Sequence, residues 1–132
     1  MNMNRTSSCQ QGRTKGQIEA EVTQGLIRFM RERMGRGPGD IRTRIVQDMV
    51  IVRMANVLTP AERALAQTGN VELLKQLLSR LLESGRPELD CLLREATGYG
   101  IASMYTDLCV EREERLIVFV LTGNMEPRRQ WG

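Results

Sequence analysis

The chain has 132 residues, of which 41% are hydrophobic, 27% charged and only 4% aromatic, with a formal net charge of +3. A chain of this length is expected to form one compact domain, burying roughly two-thirds of its unfolded surface, and so needs no disulfide or metal staple. It contains no histidine, which removes Ser-His-Asp and Cys-His nucleophile systems, histidine-ligated zinc and a histidine proton switch together.

Residues 1–13 carry almost no apolar side chains and are expected to be a flexible tail without the apolar core of a secretory signal. Thr14-Lys15-Gly16-Gln17 has the spacing of a capping box, and Ile18, Val22, Leu26 and Phe29 follow at helical spacing. Together they predict a helix to about Met34. Gly35-Arg36-Gly37-Pro38-Gly39 should end it, since glycine accepts the left-handed position beyond a helix and proline cannot continue the ladder. From Ile41 to Met54 the period becomes two. With a turn at Gln47-Asp48, Ile41, Thr43, Ile45, Val50, Val52 and Met54 share one face and Arg42, Arg44 and Arg53 the other.

Thr59-Pro60-Ala61-Glu62 combines an N-cap threonine, proline at the first helical position and a capping-box glutamate, which predicts a short helix to about Gln67. After Gly69-Asn70, the residues Val71, Leu74, Leu77, Leu78, Leu81 and Leu82 make the apolar stripe of a further helix. Leu89, Leu92, Leu93 and Ala96 resume the period beyond Gly85-Arg86-Pro87, so Pro87 either kinks one long helix or starts another; Gly98 closes it. Tyr99 to Leu108 and Arg115 to Leu121 read as a second hairpin across a charged loop, Glu111 to Glu114. The order α-ββ-α-α-ββ predicts a two-layer α+β fold: a four-stranded, mainly antiparallel sheet with the helices on one face, spanning residues 14–122. Residues 123–132 are expected to be a second flexible tail, with Trp131 as its one large apolar side chain.

In a half-solvated sheet the strands should alternate, yet Met49-Val50-Ile51-Val52 and Leu116-Ile117-Val118-Phe119-Val120-Leu121 are apolar on both faces. Helices on one side cannot cover both. Met49, Ile51 and one set from the last strand are therefore expected to be buried in a homodimer through the sheet, or against another protein, unless a tail or a helix folds over them. Leu116 to Leu121 is also the longest apolar run, far short of the roughly 20 residues of a membrane-spanning helix.

The basic residues are unevenly placed: residues 1–57 hold ten against five acids, whereas residues 58–132 hold nine against eleven. Arg36, Arg42, Arg44 and Arg53 are the candidate charged contacts, with Met49 and Ile51 as apolar anchors; the plainer reading is solvated side chains covering strand backbone. The same arginines make a nucleic-acid-binding module the alternative, although no aromatic side chains are interleaved with them to stack bases. The glycine-rich loop at residues 35–39 leaves a helix C-terminus, where the dipole has the wrong sign for a phosphate. Cys9, Cys91 and Cys109 have no C-x-x-C spacing, so no zinc ribbon or disulfide framework is expected and reduced thiols in a cytoplasm fit best. Among the acids Asp107, within an apolar strand near Tyr105, is the one to inspect, with a hydrogen-bonding role at the strand end expected. No catalytic residue, metal or cofactor is predicted.

Thr14-Lys15-Gly16-Gln17-Ile18-Glu19, Gly35-Arg36-Gly37-Pro38, Asp48-Met49-Val50, Leu58-Thr59-Pro60-Ala61-Glu62, Gly98, Asp107 and Phe119, taken in this order, resemble the MpsC family of small bacterial proteins over roughly residues 14–122. The resemblance implies association with a sodium-translocating system that generates membrane potential, whose membrane-embedded work belongs to other components. It carries over no catalytic residues. The expectation is a non-enzymatic accessory or regulatory interaction protein, cytoplasmic or peripheral at the membrane, that docks a membrane complex.

Overall fold

The computed structural model describes residues 13–126 apart from Arg36 and Pro38. Helix α1 (Lys15–Met34) opens on the predicted capping box: Thr14 Oγ1 accepts from the Gln17 amide, and the Gln17 side chain accepts from the Thr14 amide. Two backbone donors that would otherwise lack a helical partner are thereby satisfied. Gly35, at φ 81°, ends the helix by donating to the Arg31 carbonyl. Strands β1 (Asp40–Val46) and β2 (Met49–Ala55) turn at Gln47-Asp48. Ile41 pairs with Met54, Thr43 with Val52 and Ile45 with Val50, so the alternation of apolar side chains sets the register as it must when one face is buried.

Helix α2 (Pro60–Gln67) repeats the capping logic, with Thr59 and Glu62 bonded reciprocally. Helix α3 (Val71–Ser84) and helix α4 (Arg86–Thr97) are separate. Pro87 lies in the first turn of α4, where its missing N–H costs nothing, so it starts a helix rather than kinking one. Gly85 between them is buried, and a β-carbon there would sit 2.4 Å from the Phe29 ring. The break in the chain is therefore also a place where α1 packs closely. Strands β3 (Ile101–Cys109) and β4 (Glu114–Leu121) complete an all-antiparallel sheet of order β1-β2-β4-β3. The described elements run α-ββ-α-α-α-ββ, in the expected two-layer α+β arrangement.

The helices cover one side of the sheet. Ile18, Val22, Leu26, Phe29 and Met30 of α1, with Leu89, Leu93 and Ala96 of α4, pack on Ile45, Val50, Val52, Met54, Ile117 and Phe119. A second, smaller cluster joins Leu58, Ala66, Leu74 and Leu78 to Leu108 of β3. Leu77, expected in the buried stripe, is instead exposed: the stripe runs through Leu74, Leu78 and Leu82 at spacings of four, and a residue one position off that line turns about 100° away. Beyond β4 the chain folds back on the β1–β2 turn. The Met125 amide donates to the Gln47 carbonyl, and Glu126 accepts from the Gln47 amide and from Lys15. The first residues of the expected C-terminal tail are thus tied to the domain by contacts that no local sequence period announces.

Candidate functional site

Because side chains alternate across a strand, the register fixes what the other side of the sheet presents. Three lines cross it from β1 through β2 and β4 to β3. The first is Val46, Met49, Val120 and Ser103; the second is Arg44, Ile51, Val118 and Tyr105; the third is Arg42, Arg53, Leu116 and Asp107. Among the described residues no helix lies over these side chains. Val46, Tyr105 and Leu116 are exposed, Tyr105 to 61%, while Met49, Ile51, Val118 and Val120 are half-buried. An apolar strip two strands wide thus faces outward along the middle of the sheet.

The structure places Arg42, Arg44, Arg53, Met49 and Ile51 together on this face; Arg36 lies outside the described residues. Two of the arginines stand against carboxylates. Arg53 Nε is 2.5 Å from Glu114 and Arg42 Nε 3.5 Å from Asp40, while Arg44 donates to the Thr43 carbonyl. At the lower end of the face Asp40, Arg42, Arg53, Ala55, Arg112 and Glu114 line a hollow of about 480 Å³. Its charges alternate, so it does not offer the single-signed field that a phosphate backbone requires.

Asp107 is on the same face, 3.3 Å from Lys75 and accepting from the Leu108 amide. Its pKa is lowered, chiefly by that amide and then by Lys75. An exposed carboxylate held ionised is suited to ion pairing and poorly suited to donating a proton. Asp90 and Glu126 are lowered as well, Asp90 by the Ile101 amide and then Arg94, Glu126 by Lys15 and then the Gln47 amide. Among the described residues no group of three or more acids or cysteines is arranged to hold a metal ion, and no helix is long and apolar enough to cross a membrane.

Two residues were not legible from the sequence. Tyr105 joins the outer face because the register of β3 shifts between Ile101 and Ser103, and one extra residue reverses which side chains point outward. Arg115 looks like a solvated charge at the edge of a loop, yet it is 2% exposed on the helix side of β4. Burial pulls its pKa down to about 10 against the opposing influence of Glu62. Its only sequence clue is parity: Arg115, Ile117 and Phe119 share one face.

Residues 14–123 match the family model described as a Na+-translocating membrane potential-generating system (MpsC). The chain is also similar to the uncharacterized protein YbcI of Bacillus subtilis (strain 168), with 35% identity over 115 residues that cover 86% of this chain and 93% of that protein. No solved structure gives a significant match.

Proposed function

Because the chain belongs to the MpsC family, we propose that it is a non-enzymatic accessory or regulatory component of a Na+-translocating, membrane-potential-generating system. It acts from the aqueous side, through the uncovered face of its sheet. The observation that supports this reading most directly is the strip of Met49, Ile51, Val118 and Val120, an apolar surface over which no helix lies among the described residues of an otherwise two-layer domain. Side chains of that kind at the centre of a face, rimmed by arginines and acids, are the usual composition of a protein interface. The pairing of Arg42 and Arg53 with Asp40 and Glu114 favours a protein partner over a nucleic acid.

The test is genetic and biochemical. Deleting the gene should lower the Na+-dependent membrane potential. The wild-type chain should restore it, and a variant carrying Ile51→Thr and Val118→Thr, which keeps β-branched side chains in the strands, should not. Full restoration by that variant, or an unchanged potential on deletion, overturns the reading.

A further inference from the structure

The first occupant of the outer face can be identified from the way charge is distributed across it. This step rests on the reading of that face as an interaction surface. On β1 and β2 it carries three arginines, Arg42, Arg44 and Arg53, against one acid, Asp40, whereas β4 and β3 carry the acids Glu114 and Asp107 and the exposed ring of Tyr105. Such a face is polarised across the strands.

We propose that the face packs against the same face of a second copy, about a two-fold axis that lies between the sheets and runs parallel to the strands. That rotation exchanges β1 with β3 and β2 with β4 while keeping each residue at its own level along the strand. Arg42 then stands over Asp107 of the second copy, and Arg44 over Tyr105 of the second copy, an arrangement for a guanidinium on an aromatic face. Between them Ile51 meets Val118 and Met49 meets Val120, so the apolar strip closes on itself. Every contact occurs twice, as an isologous interface requires. Sheets packed in this aligned way stand about 10 Å apart, within reach of an arginine and an aspartate extended toward each other.

The competing arrangements are disfavoured by features of the same face. An axis running across the strands would lay β1 on β1 and set Arg44 against Arg44, with Arg42 nearby. Pairing through the free edge of β1 is obstructed by α1: Glu19 accepts from the Ile45 amide at 2.7 Å, and Thr23 Oγ1 lies 2.7 Å from Thr43 Oγ1. The Arg42–Asp40 and Asp107–Lys75 contacts, at 3.5 and 3.3 Å, leave both side chains mostly exposed, so neither has to break for the cross-dimer pair to form.

Charge reversal tests this geometry on the full chain by sedimentation equilibrium, with thermal melts to establish that each variant is folded. Arg42→Glu and Asp107→Arg should each raise the dimer dissociation constant about tenfold or more, and the two together should return it to within about threefold of wild type. A wild-type chain that stays monomeric at about 100 μM, a concentration at which even a weak specific dimer forms, overturns the proposal. So does a double variant no tighter than the singles. The two readings fail separately: a monomer whose Ile51→Thr/Val118→Thr variant still loses complementation sinks the dimer alone, and a dimer whose variant complements fully sinks the functional role alone.

Discussion

Arg115 Nη2 donates to the Leu78 carbonyl at 2.9 Å, joining the inner face of β4 to the third turn of α3. Its Nε donates to Thr106 Oγ1 at 3.0 Å, so one buried guanidinium holds a helix and two strands. Arg115→Ala removes the second donor to a carbonyl that already accepts within the helix, unties Thr106 and opens a cavity, and should cost about 2–4 kcal/mol in urea unfolding. Arg115→Met fills the space without burying a charge and should cost about 1 kcal/mol or less. Equal losses in the two variants would show that the charge itself, rather than the filled volume, holds the helix in place.

Gly85 faces the Phe29 ring at a separation that admits no β-carbon. Gly85→Ala should therefore destabilise by about 1–3 kcal/mol through overpacking, and pairing it with Phe29→Leu should recover part of that loss. Additive effects of the two substitutions in thermal melts would mean that the ring does not set the constraint.

Asp90 accepts from the Ile101 amide at 2.8 Å and pairs with Arg94, and its pKa is lowered by both, the amide first. A carboxylate depressed in the folded state binds its proton more readily when unfolded. Its contribution is therefore fully present above the unfolded value of about 3.9 and is lost as pH falls through the folded one. Asp107 and Glu126 are shifted the same way. Stability should fall with acidification below about pH 4, and Asp90→Asn should flatten that fall while leaving a lower plateau at neutral pH. An unchanged acid slope in the variant would contradict the assignment.

Leu116 and Ile117 are adjacent in sequence and opposite in role: Leu116 is 43% exposed on the outer face, and Ile117 is fully buried under the helices. Measured at dilutions where the chain is monomeric, Leu116→Ala should change the unfolding free energy by about 0.5 kcal/mol or less, and Ile117→Ala by about 2–5 kcal/mol. Comparable losses would mean that the outer face is already covered within the single chain.

The fold was legible wherever a local pattern has one physical outcome. The capping boxes at Thr14 and Thr59 located two helix starts, and the alternation from Ile41 to Met54 fixed a hairpin register around Gln47-Asp48. The surplus of apolar residues in β2 and β4 pointed to an apolar outer face that one layer of helices cannot cover, and among the described residues no helix lies over it. What stayed hidden depends on tertiary contact. The bulge that turns Tyr105 outward is decided by pairing with β4. The burial of Arg115 is decided by where α3 comes to rest, and the exposure of Leu77 by which of two adjoining leucine rows meets β3. Met125 and Glu126 are held to the β1–β2 turn by hydrogen bonds to Gln47 that leave no mark on composition.

The most direct measurement of whether the uncovered sheet face is where this protein meets its partners is photo-crosslinking in living cells. A photoreactive side chain is placed at Ile51 in one strain and, as a control, at the exposed Gln76 of α3 in another. The account predicts strong, discrete adducts from position 51, including a species of twice the chain mass, and little from position 76. Equal or weaker adducts from position 51 would contradict it.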